Sequence, residues 1–480
     1  MAGAQPNTIS ESQPAEDSQN HTKPFITISF LFFMWGFITV MNDVLAPHLK
    51  AVFELSFFQA GLVQFAFFIA FFIVSLIYFL ISTTSGDPIT RIGYKKGIII
   101  GLIICGAGCC LFYPAAQFQA YGFFLSALFV LATGVTILQI AANPYAAILG
   151  KPETASSRLN LAQGFNSIGT TLAPFIGALL IYKVFSDGTI TVDSLKLPYI
   201  IYGSAFIVLA LFVKGAHLPT FVNKEKILKG AGALKFRQLK FGMFAIFAYV
   251  GAEVAIGTYL INYFGLSNIM GFEEAEAGVY LSYYWGGAMI GRFLGSISMG
   301  SIESAAKRYG LMAAVALAAL VLLYLITSIK NDGDSFYMEF LGFSKISLFL
   351  FFVLINYLAF FIGKSSPSRI LAVFASAIIV LLLLVVGMDG YVAFWSAIAI
   401  GLFNSIMWSN IFTLAIKDLK EYTSQGSSLL VMMIVGGALV PPLQGLLADY
   451  YGVQTSFLLP ILCYIYILFY ALNGYKPSEN

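Results

Sequence analysis

The stretch Phe57–Ile81, FFQAGLVQFAFFIAFFIVSLIYFLI, carries no charged residue. About 20 mostly apolar residues, rising about 1.5 Å each, cross the hydrocarbon core of a bilayer as one helix. The stretch meets that length, and its few polar side chains cannot make a water-facing surface. Comparable runs lie near Phe25–Pro47, Gly97–Tyr113, Tyr121–Leu149, Leu159–Tyr182, Tyr199–His217, Phe241–Phe264, Ala277–Met299, Leu311–Ile329, Ile346–Phe361, Ile370–Val386, Tyr391–Ile416, Ser427–Leu447 and Ser456–Leu472. The reading is an all-α polytopic membrane protein of about fourteen spans. The 480-residue chain agrees with it: 59% of residues are hydrophobic and 10% charged, at a mean hydropathy of +0.85. A soluble domain carries about 25% charged residues.

The loops orient the spans. Arg91, Lys95 and Lys96 join the second and third, and Lys151 and Arg158 the fourth and fifth. Lys214, Lys224, Lys226, Lys229, Lys235, Arg237 and Lys240 fill the middle loop. Lys307 and Arg308, Lys364 and Arg369, and Lys417 and Lys420 continue the series, while the intervening loops carry Glu54, Asp187, Asp193, Glu273, Glu274, Glu276, Asp332, Asp334 and Asp389. Basic loops stay in the cytoplasm, so both termini are expected there. Residues 1–23 read as a disordered polar tail with no basic segment or cleavage site of a signal peptide. The net charge of +3 gives no case for nucleic acid. Cys105, Cys109, Cys110 and Cys463 sit in apolar runs and read as packing residues.

An internal repeat is visible. Ala60-Gly61 after Phe53-Glu54 matches Ala277-Gly278 after Phe272-Glu273, an offset of about 217 residues, whereas Gly169, Pro174 and Gly177 match Gly437, Pro442 and Gly445 at an offset of 268. The offset grows by about 51 residues inside the second half, which places an insertion there. The expected division is a tail at 1–23, a six-helix bundle at 24–217, a linker at 218–240, a second six-helix bundle at 241–305 and 365–475, and an inserted transmembrane hairpin at 306–364. Two inserted spans leave the topology of the rest unchanged.

A charge at the bilayer centre costs at least a few kcal/mol and marks function by default. Asp43 lies in the first span beside Asn42, Glu253 in the seventh between Gly251 and Gly257, and Arg292 in the eighth. Asp43 could hold a ligand or merely cap or pin neighbouring helices, and Glu253 could hold a ligand or be a surface carboxylate near a helix end; Arg292 reads as a gating or anchoring residue. Amides form a second set. Gln139 and Asn143, and Gln163 and Asn166, each share one helix face. Asn262, Asn404 and Asn410 lie on later spans. Amides in hydrocarbon must face each other, a packing partner or a wet cavity. A cavity of amides, a carboxylate or two and aromatic faces (Trp285, Tyr283, Tyr284 and Trp408) suits a neutral sugar, whose hydroxyls take bidentate partners and whose ring stacks. The absence of several buried cations argues against anionic substrates. A drug efflux carrier of the same fold would show fewer amides. An enzyme would need a nucleophile–base pair or metal cluster, and no His-containing catalytic cluster is visible.

Met41-Asn-Asp, Phe58-Gln-Ala-Gly, Ala141-Ala-Asn-Pro, Arg158-LNLAQGFNSIG, Gly251-Ala-Glu-Val, Asn410-IFTLAIK and Gly426-SSLLVM resemble the fucose–galactose–glucose symporter family of the major facilitator superfamily, nearest its glucose/galactose branch. The resemblance covers all but the tail and the insertion. It implies two six-helix bundles and cation-driven sugar uptake by alternating access, with no cofactor and a hexose, a coupling cation and the lipid bilayer as partners. Asp43 falls at the family's first-span carboxylate, and Gln163 and Asn166 at its sugar-contacting amides. Gln139 stands where fucose symporters have a second carboxylate, and Glu253 where they have a glutamine. The expectation is therefore a monomeric hexose symporter of a bacterial inner membrane, taking up glucose or galactose. Na⁺ is favoured over H⁺ and bound at Asp43 with Asn42, Gln139 or Asn143. The sugar is held by Gln163 and Asn166 on one bundle and by Glu253, Asn262, Asn404, Trp408, Asn410 and Trp285 on the other.

Overall fold

The computed structural model describes residues 22–55, 57–178, 180–181, 191–219, 229–331 and 336–477, so the expected disordered tail lies almost wholly outside the described residues. The first six long helices are α1 (Thr22–Val52), α2 (Phe57–Ser85), α3 (Tyr94–Cys110), α4 (Tyr121–Ile148), α5 (Ala155–Ala178) and α6 (Lys196–Gly215). Among them α1 packs on α5, α3 on α4 and α6, and α2 on α4. The α1–α5 seam is close because glycines line it: a side chain at Gly36 would strike the Asn166 backbone, and one at Gly169 would strike the carbonyl of Phe33. Without a hydrophobic force between helices in lipid, such close backbone approach supplies the packing.

The second half repeats the pattern. It comprises α7 (Arg237–Phe264), α8 (Glu274–Ser298), α9 (Ala305–Thr327), α10 (Phe343–Gly363), α11 (Pro367–Gly387), α12 (Gly390–Asn404), α13 (Met407–Ala415), α14 (Thr423–Met432), α15 (Gly436–Tyr451) and α16 (Leu458–Phe469). Here α7 packs on α15, α11 on α12 and α16, and α8 on α12. Each pairing has a first-half counterpart, and Gly436, beside the matched Gly437, closes on the carbonyl of Phe247 in α7 as Gly169 closes on α1. Two helices have no counterpart. α9 and α10 flank the bundle against α8, α11 and α12. Their ends meet, because Arg308 donates to the Ile302 carbonyl and to Ser365 Oγ at 2.8 Å. A two-stranded ribbon, Ile329–Asn331 antiparallel to Phe336–Met338, lies between them at the far end.

Among the described residues twelve helices are long and apolar enough to cross a membrane, against the fourteen expected. The two missing from that set are α5 and α8. Both exceed 20 residues, but they carry Arg158, Asn160, Gln163 and Asn166 in one case and Arg292 in the other, and they pack on each other across the two bundles. Their low apolarity reflects that inner position. Helix α7 begins at Arg237, four residues before the expected span, after a short turn at Gly232–Lys235. All four cysteines are free, and Cys105 and Cys109 are buried.

Candidate functional site

Two breaks place polar groups inside the second bundle. The helix pair α12–α13 interrupts at Ser405–Ile406, and α14–α15 at Met433–Val435. Broken helices at mid-depth free backbone carbonyls and turn side chains inward. Arg292, on α8, uses one such carbonyl: its Nε donates to Ser405 O at 3.2 Å. Its Nη1 donates to Ser167 Oγ, on α5 of the first bundle, at 2.5 Å. Its Nη2 lies 3.9 Å from Glu253 Oε1, on α7. Both charged side chains are nearly buried, at 11% and 13% exposure; among the described residues Glu253 Oε1 has no well-formed hydrogen bond, and the buried Tyr249 hydroxyl, one turn back on α7, faces the same carboxyl. A buried pair at that separation is loose, so much of the carboxylate's desolvation goes uncompensated.

Around this pair the bundle is braced. Tyr284 Oη donates to the Glu253 backbone carbonyl at 3.2 Å, Asn404 Nδ2 donates to Tyr284 Oη at 2.9 Å, and Tyr464 donates to the other end of the Asn404 amide. Trp285 is 37% exposed, stands edge-on to Tyr284, and lies against Gly257, one turn beyond Glu253. A partly open indole therefore sits against α7 one turn from Glu253.

The sequence-derived residues divide accordingly. Glu253, Arg292 and Trp285 come together. Gln163, buried, accepts a bond from Ser167 at its backbone carbonyl and so lies one turn from the Arg292 contact. Asn166 donates its amide to the Phe32 carbonyl at 3.0 Å and stitches α5 to α1. Trp408 is buried against Phe412, its indole N–H unpartnered. Asn42, Gln139 and Asn143 are buried, with amide atoms that have no partner among the described residues. The side chain of Asp43 lies outside the described residues. Three expectations need revising in role. Asn404 has both ends of its amide committed to tyrosines. Asn410 is occupied at one end of the molecule, accepting from Asn160 at 3.1 Å and donating to the Pro367 carbonyl. Asn262 is exposed toward the end of α7, away from this network.

The opposite end, where Asn410 sits and which carries the basic loops, joins the bundles. Ser156 and Thr413 hydroxyls meet at 2.6 Å, Ser157 donates to Ser296 O at 2.6 Å, Ser424 donates to Asp87 Oδ1 at 2.8 Å, and Gln425 Nε2 donates to Ser82 Oγ at 3.0 Å. Gly230, in the linker, donates to Thr83 O at 2.8 Å. Asp87 also accepts from Tyr78 and from Thr90 N. None of Ser156, Ser157, Ser167, Ser405, Asp87, Ser424 or Gln425 was singled out from sequence. The available signal was the spacing of Gln163 and Ser167, one helical turn apart.

Duplicated bundles, broken inner helices and a buried charge pair whose arginine reaches across to the other half define a multi-pass secondary transporter. Comparison with known proteins agrees. The Major Facilitator Superfamily profile matches residues 25–360. The glucose/galactose transporter of Brucella abortus is 42% identical over 99% of this chain and 100% of its own, and a putative glucose/galactose transporter of Helicobacter pylori 38% over 95% and 97%. The L-fucose-proton symporter of Escherichia coli is 28% identical over 97% and 96%. A crystal structure of FucP in the outward conformation superposes with a TM-score of 0.72 at 28% identity, covering 95% of this chain and 99% of that one. The chain belongs to the fucose–galactose–glucose symporter family of the major facilitator superfamily. Its relatives are transporters, not enzymes.

Proposed function

We propose that this chain is a cation-coupled hexose symporter of the bacterial inner membrane, taking up glucose or galactose by alternating access, with Na⁺ favoured over H⁺. The observation that carries the reading is the Glu253–Arg292 pair with Trp285 beside it, set against Ser167 and the Gln163 turn of the other bundle. A carboxylate oxygen without a well-formed hydrogen bond accepts from a sugar hydroxyl, and an indole face takes the apolar side of the ring. The bundles are taken as 24–217 and 241–305 with 365–475, joined by the linker at 218–240 and flanked by the hairpin at 306–364.

The coupling cation is assigned to Asp43 with Asn42, Gln139 and Asn143. Buried amides with unpartnered atoms offer the neutral oxygens a bare cation needs, and orphaned polar atoms otherwise cost about 1–3 kcal/mol each. Proton coupling is the second reading, favoured by the 28% identity to an L-fucose-proton symporter. Loops rich in Lys and Arg face the cytoplasm. The end at which the bundles are tied is then cytoplasmic, which corresponds to an outward-open carrier. The test is radiolabelled glucose and galactose uptake into proteoliposomes with Na⁺ and proton gradients imposed separately. Accumulation under a Na⁺ gradient alone is expected. Accumulation under a proton gradient alone transfers the coupling to H⁺, and accumulation under neither removes the symport reading.

A further inference from the structure

We propose that Arg292 is a two-position switch, pivoting on the Ser405 carbonyl between Ser167 of the opposite bundle and Glu253 of its own, so that bundle contact controls whether Glu253 is free to take sugar. The inference rests on the symporter reading and adds a positioning role for Ser167 and Ser405.

The geometry is asymmetric. Arg292 is bound to Ser167 at 2.5 Å and to Ser405 O at 3.2 Å, yet it stands 3.9 Å from Glu253, whose Oε1 has no well-formed hydrogen bond among the described residues. A guanidinium presents its donors as a rigid fork. With Nε held at the break between α12 and α13, only the Nη end can swing. While the bundles touch, Ser167 takes that end and the carboxylate stays available. When α5 withdraws, Nη1 loses its acceptor in a nearly dry site, and a nearby carboxylate is the group able to satisfy it. A bidentate Arg–carboxylate pair is the stronger arrangement. Closing it occupies the oxygens a sugar hydroxyl would use. Sugar bound at Glu253 is thus displaced in the state that opens toward the basic end, and sugar affinity differs between the two states. Differential affinity of that kind is what lets a ligand bias a two-state equilibrium.

The experiment measures the ligand-free distance between spin labels at Glu153 and Asp418. These positions are exposed, on opposite bundles, at the basic end; Cys110 and Cys463 are changed to serine. Ser167→Ala is expected to raise the basic-end-open population about tenfold, near the low end of the effect of losing one charge-assisted hydrogen bond. Ser167→Thr, which keeps the hydroxyl, is expected to restore the wild-type distribution. In Glu253→Gln the carboxylate that receives Arg292 is gone and nothing replaces the lost hydroxyl, so adding Ser167→Ala is expected to shift the population more than it does in the unaltered protein. An equal shift in both backgrounds makes Ser167 a simple tether and overturns the switch, as does an unchanged distribution in Ser167→Ala. Binding of D-glucose and D-galactose to the same samples is the second readout, with weaker binding expected in Ser167→Ala. If neither sugar binds the unaltered protein, the hexose reading fails while the distance comparison still decides the switch.

Discussion

At Gly36 a single hydrogen in place of a side chain lets α1 lie on α5. A Cβ there would collide with the Asn166 backbone and amide. Backbone cannot yield as a flexible side chain can, so the helices must part. Gly36→Val is expected to cost about 1–3 kcal/mol, as overpacking does, and to lower the melting temperature of the detergent-solubilised protein well below that of the parent. Asp43, seven residues on, is assigned to coupling from its charge within a span and from the family's first-span carboxylate. Asp43→Ala should abolish gradient-driven sugar accumulation in proteoliposomes, and full accumulation by that variant removes Asp43 from coupling. Residues also show where sequence reading ran short. Asn404 and Asn410 carry the same amide as Gln163 and sit in equally apolar runs, yet one braces two tyrosines and the other ties the bundles together. Periodicity tells which face an amide occupies, not which partner meets it there. Ser167 and Ser405 were invisible for a related reason. A serine in a membrane helix ordinarily bonds its own preceding turn, and both do so here while also serving Arg292.

Among elements, the broken pair α12–α13 matters most. Asn404 lies at its last regular turn and links α12 to α8 and α16 through Tyr284 and Tyr464. Replacing it with alanine leaves two buried hydroxyls short of a partner. Asn404→Ala is therefore expected to destabilise by about 2–4 kcal/mol, roughly 1–2 for each hydroxyl, and to loosen the backbone at Glu253, which Tyr284 holds. Thermal melting together with sugar-binding affinity checks this: the melting temperature should fall, and affinity with it. Most helices were legible because apolar length is a strong signal. The repeat of Gly169, Pro174 and Gly177 at Gly437, Pro442 and Gly445 was legible because close backbone approach admits few residues. The breaks at Ser405–Ile406 and Met433–Val435 were not, since no proline marks either interruption.

On the scale of the molecule, the helices α9 and α10 lie at the rim against α8, α11 and α12, and we take them as an inserted hairpin. Its two ends meet through Arg308 and Ser365, so joining Ile302 to Ser365 with a short Gly-Ser linker spans little distance. Its loss takes away six of the seven residues that line a cavity of about 180 Å³ and leaves Tyr283 of α8 facing outward, a surface lipid tails can cover. The excised protein is expected to keep sugar uptake in proteoliposomes within severalfold of the full chain. Loss of all transport in a variant that still folds would make the hairpin part of the working machine.

The bonds that join the two halves at the basic end are largely made by hydroxyls and amides, Ser156 to Thr413, Asn160 to Asn410 and Gln425 to Ser82 among them. Each is worth about 1 kcal/mol net. Dissolved electrolyte screens exposed charges, but it has little hold on buried dipoles. Turnover should accordingly stay nearly flat as KCl inside the vesicles is raised from 10 to about 500 mM, conditions under which the Debye length falls from about 30 to about 4 Å. A bacterium concentrating its cytosol under drought would keep feeding at an undiminished pace.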